Sequence, residues 1–301
     1  MLKIPLQAIV LSVLIHALWG GNPVGAKFGL MVFPPYWSAF IRFVFGIMTI
    51  WAWCQWRGIR ILPTRNEWSP LLWISLLFTV QIGLMNMGFD QTTGVNGSIL
   101  ISTNPLFAAV FAHFLISSDS LKPVKLIGLL VGFAGVVITI VGSGAGSGPV
   151  ELGASGDWLC LASACLLGFR LIASARAMKN LNPFRLAIWQ MIFSLPLFAF
   201  AGGLFETIRW EALGWAPVLG LAYQGIVVAG VGFMASLWLI SRYQASVMVS
   251  FNFISPVTGV LLSALLLGEA LSSGVLLGVG LLAIGMILVC AGKIGKSSPE
   301  T

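Results

Sequence analysis

Residues 123–142 read PVKLIGLLVGFAGVVITIVG, a 20-residue stretch whose one charged side chain is Lys125. A helix of about 20 apolar residues is long enough to cross a hydrocarbon core of roughly 30 Å. A helix that is apolar on every face does not suit the surface of a water-soluble protein. The stretch therefore predicts a transmembrane helix.

The composition extends this prediction to the whole chain. Of the 301 residues, 58% are hydrophobic and 8% are charged, and the mean hydropathy is +0.99. Soluble domains carry about 25% charged residues, so this chain lacks the polar residues to cover a water-soluble surface. The strong hydropathy also differs from the weak alternating pattern of a membrane β-barrel. The predicted fold class is all-α integral membrane.

Apolar segments recur along the chain with short intervals between them, which leave no room for a soluble catalytic domain. The first segment follows Lys3 and lacks a small-residue cleavage site, so we interpret it as an uncleaved helix rather than a signal peptide. Ten transmembrane helices are predicted, at residues 5–30, 35–56, 68–89, 95–117, 123–142, 155–178, 184–203, 214–240, 244–267 and 273–292.

The orientation follows from the Lys and Arg residues near helix ends, because cytoplasmic loops carry an excess of them. If the N-terminus is cytoplasmic, the opposite side holds only Lys27 and Arg209. This asymmetry predicts that both termini are cytoplasmic. The residues at the predicted cytoplasmic ends and loops are Lys3, Arg57, Arg60, Arg65, Lys122, Lys125, Arg176, Lys179, Arg185, Arg242, Lys293 and Lys296.

The chain divides around its one flexible Gly/Ser-rich stretch, SGAGSGPVELGASG at residues 143–156. We predict a first five-helix repeat at residues 1–142, this linker, and a second five-helix repeat with a short cytoplasmic tail at residues 157–301. With five helices per half, the second repeat is inverted relative to the first. Inverted repeats are typical of alternating-access carriers whose site lies at the midplane between the halves.

The halves also resemble each other in sequence. One constant shift aligns residues 19–43 with residues 167–191, and a later match aligns Pro105 with Pro256. A proline inside a helix removes a backbone hydrogen bond and weakens the helix there. We predict Pro105 and Pro256 to be paired hinges, with Pro23 as a third hinge. Static kinks are the alternative.

The same segments resemble the drug/metabolite transporter superfamily, specifically its ten-helix EamA-type members. The resemblance rests on ALWGGN at residues 17–22, on ISPVTGVLLSALLLGEALSSGVLLGVGLLAIG at residues 254–285, and on a weaker first-half copy at residues 104–136. It covers nearly the whole chain. Among these members, the chain is similar to YddG-type exporters of aromatic amino acids and methyl viologen. The resemblance implies gradient-driven export, without ATP, across a bacterial inner membrane.

Arg170 lies well inside the sixth predicted helix, where an ionised side chain is costly and by default faces a wet cavity or a partner. A guanidinium presents paired donors to a carboxylate, so we predict that Arg170 binds substrate. The alternative is an arginine that extends toward the cytoplasm beside Arg176 and Lys179. Arg42 in the second predicted helix is a similar candidate for substrate binding. The alternative is that the second helix is peripheral and that Arg42 has no such role.

Other polar and aromatic side chains lie near the predicted depth of Arg170. Hydrocarbon excludes unsatisfied polar groups, so these side chains are expected to line a shared cavity, with helix-to-helix hydrogen bonding as the alternative. Aromatic rings can stack on a flat or cationic solute while amides orient its polar end. The predicted substrate-binding residues are Arg170, Trp19, Asn22, His16, Gln81, Asn86, Ser102, Tyr223, Gln224, Trp238, Asn252 and Ser255.

The acidic residues cluster at predicted helix ends, and no membrane-embedded carboxylate stands out. Glu269 is predicted to be an N-terminal charge and cap for the tenth helix, aided by Ser272 and Ser273. Small residues spaced by four, as at Gly274 and Gly278, let helices approach closely. We expect them to pack within one protomer, which predicts a monomer, and a homodimer face is the alternative.

Several function classes receive no support. The Gly-Lys-Ser at residues 295–297 lacks the first glycine of an ATP-binding loop. The basic residues form no stripe for nucleic acid, and the cysteine spacing resembles neither a metal site nor a disulfide framework. No cofactor and no metal are predicted. The expected partners are a small-molecule substrate and the lipid bilayer. We predict that the chain is not an enzyme. A carrier of phosphorylated or other anionic metabolites is the first alternative, and a membrane channel or an intramembrane enzyme is the second.

Overall fold

The structure, a computed structural model, describes residues 6–115, 123–143, 155–242 and 251–294. These residues form helices joined by short turns and loops, and no β-strand occurs among them. Most of the predicted linker, residues 144–154, lies outside them. The helices are α1 Leu6–Gly20, α2 Asn22–Leu30, α3 Pro35–Trp56, α4 Trp68–Gln91, α5 Gly94–Ile101, α6 Asn104–Leu115, α7 Pro123–Ser143, α8 Ser155–Ala177, α9 Pro183–Phe205, α10 Trp215–Ala222, α11 Phe233–Arg242, α12 Ile254–Leu267 and α13 Ser273–Ile294, with a π-helical segment at Tyr223–Gly232 and short 3-10 turns at Arg65–Glu67, Trp210–Ala212 and Phe251–Phe253.

Eight helical stretches of the described chain are long and apolar enough to cross a membrane. Two shorter apolar helices, Phe251–Leu267 and Ser273–Val289, accompany them. Each of the ten predicted segments overlaps one of these stretches, so an all-α, multi-pass membrane protein is confirmed. Ten crossings and the side on which both termini lie stay predictions. The eight stretches are Leu6–Leu30, Pro35–Trp56, Arg65–Gln91, Gly94–Leu115, Pro123–Gly142, Ser155–Ala177, Pro183–Phe205 and Trp215–Ser236.

Two of the predicted helices are interrupted near their middle. The first breaks at Gly21, between α1 and α2, and the fourth breaks at residues 102–103, between α5 and α6. Pro23 and Pro105 are the second residues of α2 and α6, and Pro256 lies in the first turn of α12. A proline in the first turn removes no hydrogen bond that the helix needs. The prolines thus begin helical segments, and Pro23 and Pro105 each follow an interruption. That Pro105, Pro256 and Pro23 act as hinges stays a prediction.

Glycines bring α7 and α13 into backbone contact. A Cβ atom added at Gly135 would lie 2.6 Å from the carbonyl oxygen of Gly278 and 2.8 Å from the backbone nitrogen of Leu282. One added at Gly142 would lie 2.8 Å from the Cα atom of Gly274. Any side chain at these positions would push the two helices apart. This part of the small-residue pattern therefore serves packing inside one protomer.

The two halves of the chain also hold each other's helix ends. The carboxylate of Glu206, just after α9, accepts hydrogen bonds of 2.9–3.1 Å from the backbone N–H groups of Tyr36 and Trp37 at the start of α3. At the other end of α9, Arg185 donates to the carboxylate of Glu67 at 2.6 Å, just before α4. Negative charge stabilises a helix N-terminus. Glu206 therefore fixes the start of α3 against the end of α9.

Candidate functional site

Aromatic side chains from three helices meet in the core of the bundle. Phe43 of α3 and Phe78 of α4 are 1% and 4% exposed, and their ring centroids lie 5.0 Å apart. Phe198 of α9 packs 6.1 Å from Phe43, and Tyr36 stacks on Phe198 at 6.4 Å. Aromatic pairs at these separations attract each other. We call these four residues the aromatic cluster, and it forms an apolar surface shared by α3, α4 and α9.

A buried arginine lies against the α3 side of the aromatic cluster. Arg42 is 4% exposed, and its Cζ atom lies 4.7 Å from the centroid of the Phe43 ring. Its Nε and Nη1 atoms make no hydrogen bond within the described residues. The cation–π attraction to the ring offsets only part of the cost of burying the charge. Arg42 therefore keeps donors available for a ligand.

A second arginine lies against the α4 side of the aromatic cluster. The Cζ atom of Arg170, on α8, lies 5.0 Å from the centroid of the Phe78 ring. Its Nη1 donates to Oε1 of Gln190 on α9 at 3.0 Å, whereas its Nε has no partner in the described chain. The buried Gln190 amide orients the guanidinium and leaves its charge uncompensated. Arg170 thus points into the bundle, and the predicted alternative of an arginine extending to the cytoplasm does not apply.

The two guanidinium groups contact one aromatic pair, Arg42 through Phe43 and Arg170 through Phe78. Among the described residues, neither arginine forms an ion pair with a carboxylate. A buried arginine without an acidic partner is a candidate ligand for a carboxylate or a phosphate. The arrangement suits a solute that carries a flat apolar group beside an anionic group.

Two amides of α4 add hydrogen-bond acceptors to this region. Gln81, one turn from Phe78, donates from Nε2 to Oγ of Ser163 at 3.0 Å, and its Oε1 has no partner in the described chain. Asn86 donates from Nδ2 to the carbonyl oxygen of Pro35 at 2.9 Å, and its Oδ1 is likewise unpartnered. Both side chains are 1% exposed. Two buried acceptors are therefore available for a donor such as an ammonium group.

Six other predicted site residues gather around the break in the first helix. Ser255 Oγ donates to the carbonyl oxygen of His16 at 2.9 Å, and Tyr223 Oη donates to that of Leu18. Nε2 of Gln224 donates to Oδ1 of Asn22 at 3.0 Å. The ring nitrogen of Trp19 donates to a carbonyl of the π-helical segment, and His16 packs edge-on against Trp19. These hydrogen bonds join α1 and α2 to α12 and the π-helical segment, so this group holds the break together.

An open cavity of about 290 Å³ lies at the predicted outer side of the bundle. Glu269 lines it and accepts hydrogen bonds of 2.6 and 2.7 Å from the backbone N–H groups of Gly94 and Val95. Glu269 thus caps α5, and its predicted role as a cap for the tenth helix is wrong. Ser272 does cap that helix, by accepting a hydrogen bond from the backbone nitrogen of Val275. The cavity is lined by Lys27, Leu30, Met31, Asp90, Leu267 and Glu269.

Comparison with known proteins assigns this chain to a family. The family model described as the EamA-like transporter family matches residues 6–141 and 154–291. The chain belongs to the EamA-like transporter family. This EamA protein is therefore a membrane transporter, which confirms the family that the sequence resemblance implied.

The relatives of this EamA protein span bacteria and plants. It is 27% identical over 291 residues to the uncharacterized transporter YvbV of Bacillus subtilis, covering 94% of this chain and 90% of that protein. It is 25% identical over 285 residues to the uncharacterized inner membrane transporter YedA of Escherichia coli, with 93% and 89% covered. A chloroplastic WAT1-related protein of Arabidopsis thaliana is 26% identical over 277 residues, and the match covers 90% of this chain and 66% of that protein. A crystal structure at 20% identity shares the fold, with a TM-score of 0.71 over 96% of this chain and 99% of the other.

The remaining predicted site residues of the EamA protein fall in different places. Ser102 is 8% exposed and lies at the end of α5, next to the break in the fourth helix. Asn252 lies half-buried in the 3-10 turn before α12. Trp238 belongs to α11, but its side chain lies outside the part of the structure that can be described. Gln190 was missed, although an amide inside an apolar segment is itself a signal of an interior-facing position.

Proposed function

We propose that this EamA protein is a gradient-driven carrier that exports small amphipathic metabolites, in the first place aromatic amino acids. The observation that carries the proposal is the half-buried Arg170, which lies over the Phe78 ring with a free Nε donor. A guanidinium beside a buried aromatic ring can bind a carboxylate while the ring packs on the apolar part of the same solute.

An aromatic amino acid matches three groups of this site. Its carboxylate would accept hydrogen bonds from Arg170, and its ring would pack against the aromatic cluster. Its ammonium group would donate to the unpartnered oxygens of Gln81 and Asn86. A site that hydrogen-bonds both charged ends rejects analogues that lack one of them, because the unmatched buried group is then left unsatisfied.

Alternating access is part of the same proposal. The two stretches matched by the family model, residues 6–141 and 154–291, support two inverted five-helix repeats. The reciprocal contacts of Glu206 with α3 and of Arg185 with Glu67 support a site that closes from either side. We further propose that the protein works as a monomer in a bacterial inner membrane, with both termini in the cytoplasm.

Flux into liposomes tests the substrate proposal. Purified protein is reconstituted, and uptake of labelled tryptophan and phenylalanine is measured against concentration, with labelled lysine and empty liposomes as controls. We expect saturable uptake of the two aromatic amino acids and none of lysine. Absence of aromatic uptake by protein that remains monodisperse would reject the aromatic-exporter assignment and leave the transporter family standing.

A second candidate substrate class is phosphorylated or other anionic metabolites. Arg42 favours it, because a second buried guanidinium on the same aromatic pair supplies a second positive charge. A phosphate carries up to two negative charges and accepts from two arginines. Labelled sugar phosphate in the same flux assay separates the two classes: uptake of it without uptake of tryptophan would favour the anionic solute.

The interruptions that precede the helix-starting prolines are expected to move during transport. Replacing Pro23 and Pro105 with alanine lets a helix continue through each interruption and so stiffens the junction. We expect the double variant to bind substrate and to transport it several-fold more slowly, since only the conformational step is affected. Pro70, in the first turn of the uninterrupted α4, gives the matched control Pro70→Ala. Unchanged flux in the double variant would reject the hinge proposal.

A further inference from the structure

Residues 57–67 join α3 to α4 at the predicted cytoplasmic side, and we call them the α3–α4 loop. Gly58, with a φ of +63°, adopts the left-handed conformation that glycine takes without strain. The backbone N–H of Ile59 then donates to a carbonyl oxygen in the last turn of α3 at 2.8 Å. At the far end of the loop, the backbone N–H of Thr64 donates to the carboxylate of Glu67 at 2.7 Å. Local hydrogen bonds therefore fix both ends of the loop.

Helix α9 holds the α3–α4 loop against the bundle. Nε of Arg185 donates to the carbonyl oxygen of Arg60 at 3.1 Å, and Nη1 donates to the carboxylate of Glu67 at 2.6 Å. The ring nitrogen of Trp189 donates to the carbonyl oxygen of Ile61 at 2.7 Å. Because one guanidinium contacts the backbone of the early part of the loop and a side chain at its end, these two parts lie close together. The loop is thus a fixed surface on the bundle.

Three arginine side chains of the α3–α4 loop are exposed and have no acidic partner. Within the described residues, no carboxylate forms an ion pair with Arg57, Arg60 or Arg65. Of the carboxylates in that part of the chain, only Glu67 lies at the predicted cytoplasmic side, and Arg185 already pairs with it. The three guanidinium groups are therefore available to an anion from outside the protein.

Exposed apolar side chains accompany these arginines. The Cζ atom of Arg57 lies 5.5 Å from the ring centroid of Trp53 and 5.6 Å from that of Trp56, distances at which a cation is attracted to an aromatic ring. Trp56 is 73% exposed, Leu62 of the loop is 75% exposed, and Trp68 at the start of α4 is exposed as well. Tryptophan is enriched where hydrocarbon meets lipid head groups. The tryptophans therefore indicate that the arginines lie at the depth of the head groups.

An anionic phospholipid matches both features of this surface. Its phosphate accepts paired hydrogen bonds from guanidinium groups, and its acyl chains can cover apolar side chains beside them. A soluble anion would match the arginines but would leave Trp56 and Leu62 in contact with water. We propose that Arg57, Arg60 and Arg65 bind the head group of an anionic phospholipid, with Trp56 and Leu62 against its acyl chains. This lipid site is independent of the solute that the protein carries.

Thermal unfolding in a neutral detergent tests the lipid site without any transported solute. The Tm of the full-length protein is measured while phosphatidylglycerol, which is anionic, or phosphatidylcholine, which is neutral, is added. A ligand that binds only the folded state raises the Tm as its concentration increases. We expect a saturable rise with phosphatidylglycerol and a much smaller one with phosphatidylcholine, and native mass spectrometry should detect retained phosphatidylglycerol. Equal rises with the two lipids would overturn the proposal.

Two double variants assign the effect to the α3–α4 loop. Arg57→Gln combined with Arg60→Gln removes two charges from the loop, and Arg176→Gln combined with Lys179→Gln removes two exposed charges from the same predicted side. The loop variant should need roughly 30-fold more phosphatidylglycerol for half of the rise in Tm. The control variant should stay within about twofold of the unaltered protein. Equal shifts in the two variants would mean general attraction of positive charge to the lipid and would overturn the proposal.

A single variant keeps the test decisive if the loop double variant is unstable. Arg65→Gln leaves the end of α3 unaltered, and it should need roughly fivefold more phosphatidylglycerol for half of the rise in Tm. An unchanged requirement in Arg65→Gln would contradict a site built from all three arginines.

Inorganic phosphate distinguishes a lipid from a soluble anion. At the same concentrations as phosphatidylglycerol, it should leave the Tm unchanged, because it offers nothing to cover the apolar side chains. A rise in Tm equal to that with phosphatidylglycerol would assign the arginines to a soluble anion and reject the lipid.

Discussion

Replacing Arg170 with alanine is expected to raise the KM for tryptophan flux by roughly 30-fold or more. Loss of one member of a buried, hydrogen-bonded charge pair costs about 2 kcal/mol or more. The aromatic cluster would still accept the ring, so residual low-affinity flux is expected. Arg170→Lys keeps the charge but loses the paired donors. Its KM should therefore lie between those of the unaltered protein and of Arg170→Ala. The measurement is initial uptake against tryptophan concentration in liposomes.

The matched control for Arg170 lies on the same helix. Arg176 is exposed near the end of α8, and Arg176→Ala removes an equal charge without touching the aromatic cluster. Its KM should stay within about twofold of the unaltered protein, since isolated surface charges contribute little. Equal losses in the two variants would mean that Arg170 acts through general charge and not through direct binding.

Replacing Gly135 with leucine is expected to prevent stable folding of the bundle. Even a Cβ atom at this position would lie 2.6 Å from the carbonyl oxygen of Gly278, and a backbone carbonyl cannot turn aside as a side chain can. Insertion of side chains into a well-packed core costs about 1–3 kcal/mol, and a forced separation of two helices costs more. The expected result is aggregation on solubilisation or a large fall in Tm, measured by size-exclusion chromatography and thermal unfolding.

Gly280 provides the control on the facing helix. It belongs to α13, yet a Cβ atom there meets no other atom within 4 Å. Gly280→Leu adds the same apolar bulk to the same pair of helices, so its yield and Tm should match those of the unaltered protein. Similar behaviour of Gly135→Leu and Gly280→Leu would contradict the close α7–α13 contact.

The helical membrane fold could be predicted because hydropathy and charge asymmetry depend on local sequence. Stretches such as residues 123–142 determine their own environment through length and lack of charge. Interruption of the fourth helix before Pro105 was not predicted as such, because a proline inside an apolar run does not reveal whether it kinks a helix or begins one. That distinction depends on the helices packed around it.

The site could be predicted only in part, because a membrane helix that is apolar on every side does not reveal which face points inward. Arg170 was singled out, since a charge at that depth has few alternatives, and its binding of substrate stays a prediction. Phe43 and Phe78 were not predicted, because an apolar phenylalanine side chain suits a lipid-facing surface as well as a protein interior. Ser255 was assigned to the cavity, but its hydroxyl is occupied by the carbonyl of His16, a contact between distant parts of the chain. Glu269 likewise caps a helix of the other half.

Counterflow of tryptophan tests the central claim, that this protein carries a solute by alternating access, most directly. Liposomes with the reconstituted protein are loaded with a high concentration of unlabelled tryptophan and diluted into a trace of the labelled form. In a carrier that exposes one site to each side in turn, the unlabelled tryptophan inside competes with labelled tryptophan for exit. Label therefore enters faster than it leaves, and a transient accumulation of label above equilibrium is predicted. A rise to equilibrium without an overshoot would indicate a channel, and no protein-dependent entry would show that tryptophan is not carried.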